Sequence, residues 1–279
     1  MRQFIAIRAA DDMALEKTLA IVLKTYDWSE SSRTIAFFAK EFGRIYLVDK
    51  GGKSIKSKRG RVLKFALLEV TFYDSKKETS GYISDVELIK MYDMSGDGSL
   101  GRLAYASAAC ELLEQLLPKE EPQRELFSYF NLFLEKLDQA ERKSLPALFL
   151  SFFLRLLSQL GYHPSLGYCV GCSREADQIL KEGGHAPVPF SPERGGLVCP
   201  SCQTPGDYYI GLPSAAFTQL LELQSASLKE AESVRVSFGE ASLLLEALVK
   251  FLQYHAEISS KIKSLEFLDK LKKTQLTSE

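Results

Sequence analysis

Apolar residues come in short, alternating runs over the first third of the chain and recur at three- and four-residue spacing thereafter. Between residues 16 and 92, the runs Thr18–Leu23, Ile35–Phe42, Arg44–Asp49, Val62–Tyr73 and Tyr82–Lys90 are rich in β-branched and aromatic residues; the second and third stop at Gly43 and Gly51-Gly52. Five strands in about 75 residues leave no room for crossover helices. The sheet is therefore predicted to be mostly antiparallel and rolled into a small barrel of the OB type. By alternation, Phe38 and Phe42 are expected inside it, with Phe37, Tyr46 and Trp28 on its outer side.

After Gly96 the period lengthens to that of helices. Amphipathic helices are predicted over Leu100–Leu117, Gln123–Ala140 and Ser144–Leu160, and again over Pro213–Gln224, Glu240–His255 and Ile262–Lys272. The fold class is α+β multidomain. An extension at 1–15 precedes an OB-fold domain at 16–92, a C-terminal helical bundle takes 98–162 and 213–273, a cysteine-bearing module is inserted at 163–212, and 274–279 is a tail.

Composition changes this picture in one respect. With 46% hydrophobic and 25% charged residues and a net charge of -1 the chain is an ordinary globular one, which excludes a uniformly basic nucleic-acid binder. Yet residues 1–90 hold 17 basic against 12 acidic residues and 91–279 hold 18 against 24, so the two parts should meet different partners. The start MRQFIAIRAADD is not a signal sequence, and the richest apolar run, Ala147–Leu157, is interrupted by Arg155. A cytoplasmic protein, with no membrane partner, is expected. There, five cysteines fit a metal site plus one buried thiol, Cys110, better than disulfides.

The strongest chemical signal is Cys169-Val-Gly-Cys172 with Cys199-Pro-Ser-Cys202, separated by 26 residues. Two residues between sulfurs make a tight knuckle, and two knuckles complete a tetrahedral thiolate site for one zinc ion. Four thiolates leave no open position to activate water, so this zinc is expected to be structural. His163 and His185 flank the site but are not needed as ligands.

A second signal is the stretch Lys50–Lys64, in which Lys50, Lys53, Lys56, Lys58, Arg59, Arg61 and Lys64 stand without one acid in a Gly/Ser-rich connection between strands. Cations beside aromatic platforms on a small barrel suit a single-stranded polynucleotide, with Arg33, Lys40 and Arg44 as further phosphate contacts. Gly52-Lys53-Ser54 lacks the glycine a triphosphate loop needs, that position being Leu47. Gly96-Asp-Gly98-Ser-Leu-Gly101 matches a dinucleotide fingerprint, but a second helix rather than a strand follows its helix, so no cofactor crevice forms. No nucleophile with a partner base is recognisable, and no enzyme activity is expected.

Several strings together resemble the RecO family of recombination and repair mediators: Ile21-Val-Leu-Lys-Thr, Glu30-Ser-Ser-Arg33, Phe38-Ala-Lys-Glu-Phe-Gly43, Arg102-Leu-Ala-Tyr-Ala, Leu160-Gly-Tyr-His-Pro164 and Phe190-Ser-Pro-Glu-Arg-Gly-Gly196 running into the second knuckle. The resemblance implies a non-enzymatic, nucleoid-associated protein that binds single- and double-stranded DNA and anneals complementary strands. It further implies action with RecR, and in some settings RecF, to load RecA on DNA coated by single-strand-binding protein, whose acidic C-terminal tail it engages. Such a tail calls for an apolar groove rimmed by cations, for which Arg102, Arg142, Lys143 and Arg155 are candidates; Arg155 also reads as a buried, paired arginine of the bundle. The alternative is a zinc-containing, protein-binding adaptor in transcription or translation.

Overall fold

The computed structural model describes residues 13–27, 29–52, 61–75, 80–256 and 262–266. Two compact units emerge, 1–92 with 117–131, and 93–116 with 132–279. Residues 117–131, expected within the helical part, thus group with the barrel.

In the first unit the strands are β1 (Met13–Asp27), β2 (Arg33–Ala39), β3 (Gly43–Asp49), β4 (Ala66–Ser75) and β5 (Gly81–Met91), closed in the order β1-β2-β3-β5-β4. All pairings are antiparallel except β3 with β5, which meet in parallel at Leu47↔Gly81 and Val48↔Tyr82. The 15-residue β1 serves two neighbours. Its first part pairs with β4 and its last with β2, with a bulge between Val22 and Lys24 where it turns from one to the other. Val22, Ile35, Phe37, Leu47, Val70 and Phe72 fill the interior.

This reverses one expectation. Phe37 points into the barrel, and its neighbour Phe38 points out, where it is buried against Phe127 and Phe130 of the following helix at ring separations of 5.3 and 6.4 Å. The alternation was right but its parity was wrong, because a helix covers part of the outer side and makes both faces of β2 apolar. Phe42 is half-buried against Phe72, 5.4 Å away. Trp28 lies outside the described residues.

The second unit is built from α1 (Ser99–Leu116), the last two turns of α2 (Arg124–Gln139), α3 (Leu145–Gln159), α4 (Ala176–Gly183), α5 (Ser214–Ser225), α6 (Leu228–Ala231) and α7 (Phe238–His255). Twelve of the fifteen residues of α3 are buried, which makes it the axis around which α1, α5, α6 and α7 pack. Phe133 stacks on Phe152 at 4.4 Å, and Tyr105 meets Phe149 at 5.0 Å. Capping boxes at Ser227/Glu230 and Ser237/Glu240 start α6 and α7. Gly96 and Gly98 adopt positive φ to enter α1, and a Cβ on Gly98 would meet Arg142 at 3.2 Å, so this glycine string serves a tight turn. Of the predicted Ile262–Lys272 helix only 262–266 are described. Between α3 and α5, the insert carries a three-stranded sheet, β7-β6-β8, from β6 (Val188–Ser191), β7 (Gly196–Leu197) and β8 (Ile210–Leu212).

Gly43 tests the barrel's closest approach. Its φ is +68°, and a Cβ there would stand 2.0 Å from the Glu121 carbonyl oxygen. Gly161 has φ +86° with nothing within 4 Å. Gly43→Ala is expected to lower the unfolding free energy by more than about 2 kcal/mol, whereas Gly161→Ala should cost about 1 kcal/mol, its conformational part alone. Urea unfolding of the two variants measures the difference.

Candidate metal centre and nucleic-acid face

The first knuckle is a short reversed loop. Cys169 N–H donates to the Arg174 carbonyl at 2.8 Å, Ser173 N–H donates to the Cys169 carbonyl at 2.9 Å, and Ser173 itself takes positive φ. A single 3-10 turn over Pro200–Cys202 forms the second. Val170 N–H donates to the Leu197 carbonyl at 2.8 Å, tying the first knuckle to β7 immediately before the second. The four sulfurs of Cys169, Cys172, Cys199 and Cys202 lie within 4.8 Å of one another, and those of Cys172 and Cys199 are 3.7 Å apart. Four sulfurs around a tetrahedral ion, with bonds of about 2.3 Å, stand about 3.8 Å apart, so the cluster fits such an ion. His163 and His185 are exposed and outside it.

Electrostatics point the same way. Burial pushes the Cys169 thiol up, but N–H donors from Cys199, Gly171 and Cys172 outweigh it and bring the thiol down to about 6. Cys199 is raised by burial but held below its ordinary value mainly by the Arg174 guanidinium. The sulfurs of Cys199 and Cys172 push Cys202 up to about 12. Adjacent sulfurs thus cannot all ionise unaided; a divalent cation relieves their repulsion. A Cβ on Gly171 would sit 2.8 Å from Cys202 Cβ, and one on Gly196 2.2 Å from the Ser165 carbonyl oxygen, which explains why both positions are glycine. Arg194 Nη1 donates to the Cys202 carbonyl at 2.9 Å, and His255 Nε2–H donates to that of Pro192 at 2.9 Å, so Phe190–Gly196 is a frame for the knuckles.

The barrel's outer surface is divided by charge. Across β1, β2 and β3, Lys24, Ala36 and Tyr46 form one cross-strand row; Tyr26, Thr34 and Val48, with Tyr82 on β5, form the next. Cations lie over these rings: Lys24 over Tyr26 at 4.9 Å, Arg44 and Lys119 over Tyr46 at 5.8 and 5.6 Å, and Lys50 over Tyr82 at 4.1 Å. Lys119 arrives from outside the strand order by bridging to Arg44 beside β3. On β4 and β5 the outer side carries acids instead, with Glu69 facing Glu87 and Thr71 facing Asp85, and Lys17 of β1 paired with Glu69.

Of the sequence-predicted DNA contacts, Arg44 belongs to the aromatic face, Lys40 is half-buried at its edge, and Arg61 is exposed. Lys53, Lys56, Lys58 and Arg59 lie outside the described residues. Arg33 is already engaged. It donates through Nε to the buried Asp49 carboxylate at 3.0 Å, so its charge is offset within the barrel. The same carboxylate occupies the space a Cβ on Gly52 would take, which makes Gly51-Gly52 a turn around Asp49. Arg102 is engaged in the same way. Only 8% exposed, it donates to the Ser95 and Ala140 carbonyls, closing the entry to α1, and lies at the base of a cleft of about 660 Å3. Arg142, over the Phe238 ring, and Lys143, paired with Glu141, are exposed at the same cleft; Arg155 is exposed on α3, not a buried bundle arginine. Tyr26, Tyr82, Lys24 and Lys119 were missed. For the strand residues the signal was a period-2 aromatic and cation pattern; for Lys119 there was none in the local sequence.

A five-stranded barrel, a helical unit and a four-cysteine cluster thus stand in one chain. Residues 13–92 match the family model described as Recombination protein O N terminal, and residues 98–266 that described as Recombination protein O C terminal. The chain belongs to the RecO family. It is similar to the DNA repair protein RecO of Symbiobacterium thermophilum, 29% identical over 93% of this chain and 99% of the relative. The DNA repair protein RecO of Pelobacter propionicus is 30% identical over 91% and 96%, and that of Chlorobium phaeobacteroides 26% over 92% and 98%.

Metal capture exchanges protons for the ion. At pH 7 Cys169 is already ionised while Cys202, at about 12, must give up its proton. Zinc affinity is therefore expected to fall as pH falls, more steeply below about pH 6 where Cys169 binds its own proton, and a chelator-competition titration between about pH 5 and 8 reads this.

Proposed function

We propose that this chain is a non-enzymatic recombination mediator whose barrel, of OB type, binds single- and double-stranded DNA on the outer face of β1, β2 and β3. The observation that carries the reading is the set of rings interleaved with cations, Tyr26, Tyr46 and Tyr82 with Lys24, Arg44, Lys50 and Lys119. Stacking on rings is tolerant of sequence, and cations neutralise phosphates wherever the strand runs. The acids of β4 and β5 keep a polynucleotide on one side of the barrel. In the sequence, Lys53, Lys56, Lys58, Arg59 and Arg61 add five cations between β3 and β4, and neutralising two backbones at once is what annealing of complementary strands requires. No bond is made or broken.

One zinc ion held by Cys169, Cys172, Cys199 and Cys202 shapes the insert and takes no part in DNA chemistry. In this reading the protein works in the cytoplasm at the nucleoid, with RecR and in some settings RecF, to load RecA onto DNA coated by single-strand-binding protein. Among the described residues, no helix is long and apolar enough to cross a membrane. Arg142 and Lys143, beside Phe238, are the cations we assign to the acidic tail of single-strand-binding protein, the ring receiving its apolar residue.

The testing experiment is a salt-dependent DNA titration with an annealing assay in the absence of nucleotide. Lys119→Ala is expected to weaken binding of every sequence and reduce the salt slope by about one. Tyr46→Ala should cost about 1–3 kcal/mol on single strands with the slope unchanged. Affinity indifferent to both substitutions would remove this face from the reading. Separately, Arg142→Glu with Lys143→Glu should abolish binding of the acidic tail peptide in calorimetry and leave DNA affinity intact.

A further inference from the structure

The cross-strand row that holds Tyr26 and Tyr82 does not stop at β5. Tyr26 stands opposite Thr34, Thr34 opposite Val48, and Val48 opposite Tyr82; Tyr82 in turn faces Tyr73 of β4, and Tyr73 faces Leu15 near the start of β1. Because Phe72 and Ile83 point into the barrel, Tyr73 and Tyr82 point out of it. Tyr73 is 41% and Leu15 59% exposed, large apolar surfaces that the interior does not use. The row leaves β1 at Tyr26 and returns to it eleven residues earlier, at Leu15. That offset is the stagger with which the tilted strands of a closed barrel meet, and it makes the row a rising spiral instead of a closed ring. A chain laid along it does not run into itself.

We propose that Tyr73 is a further stacking platform for a single-stranded polynucleotide, which crosses the barrel from Tyr26 past Tyr82 to Tyr73, with the apolar side chain of Leu15 ending the track. The inference rests on the reading of the barrel as a DNA-binding face, and gives that face a path and an end. With neighbouring strands about 4.8 Å apart, Tyr26 and Tyr73, four steps apart in the row, are separated by about 19 Å along the surface. One base cannot touch both, so Tyr73 serves a different part of the strand. Stacking needs a ring face and accepts any base, and Tyr73 brings that without adding charge. A protein strand is not the occupant: β4 is paired with β1 on one side and β5 on the other, so Tyr73 stands in the middle of the sheet, where no backbone edge is open to a second strand. Asp85, opposite Thr71 in the next outward row, repels phosphates and holds the polynucleotide to the row of rings.

Fluorescence anisotropy of the full chain with oligothymidylates of about 5 and about 15 nucleotides, both within the range that one OB barrel covers, tests it. Tyr73→Ala, at an exposed position, should weaken binding of the longer oligonucleotide at least about fivefold, the lower end of what one stacked base contributes. Its affinity for the shorter one, and the salt slope, should stay as in the parent. Tyr73→Phe keeps the ring and should bind both lengths as the parent does, whereas Tyr46→Ala should weaken both. A Tyr73→Ala variant that holds the longer oligonucleotide as tightly as the parent, or that loses affinity for both lengths alike, would overturn the path, and a Tyr46→Ala defect beside it would leave the DNA reading standing. Indifference of both lengths to Tyr46→Ala and Lys119→Ala would remove the DNA reading and the path with it.

Discussion

Everything on the barrel's surface follows from the decision of which side chains go inside. In a strand successive residues face opposite ways, so seating Phe37 and Ile35 in the interior obliges Thr34, Ala36 and Phe38 to face out, and the antiparallel register then lines Tyr46 up with Ala36 and Lys24. A slip of one residue in β2 would turn Phe37 out, Phe38 in, and scatter these rows. The apolar filling therefore specifies where rings and cations stand, although none of those groups contributes to it.

The strands were legible from their period of two and α2, α3 and α7 from one of 3.6, whereas α1 is apolar nearly all round and shows little one-sided pattern. What could not be read was the sidedness of a strand apolar on both faces. Phe37 and Phe38 have the same chemistry, and only the later arrival of Phe127 and Phe130 decides which is covered by a helix. The ion pair of Arg33 was hidden for a related reason: its partner Asp49, sixteen residues away, comes beside it only across the ladder. Lys119 was invisible because it reaches β3 from beyond α1.

The cysteine cluster was legible down to its four members because a two-residue knuckle is a local feature and two of them suffice. Its supports were less so. Gly171 and Gly196 answer to contacts with Cys202 and Ser165, and Arg174 and Arg194 place positive charge beside sulfur or its backbone. The helix α4 within the insert had not been anticipated; at eight residues it is too short for a periodic signal.

The clasp between the two knuckles also bears on how the helical unit comes together. α3 ends at Gln159 and α5 starts at Ser214, yet the two pack side by side. Bringing them into contact through a slack chain of that length carries a loop-closure penalty that grows with the length of the slack. An ion held by the four sulfurs would pin residue 169 to residue 202 and so shorten the free connection before the helices meet. Docking of α5 on α3, in a part of the molecule that contains no cysteine of the cluster, would then be slower and less complete without it.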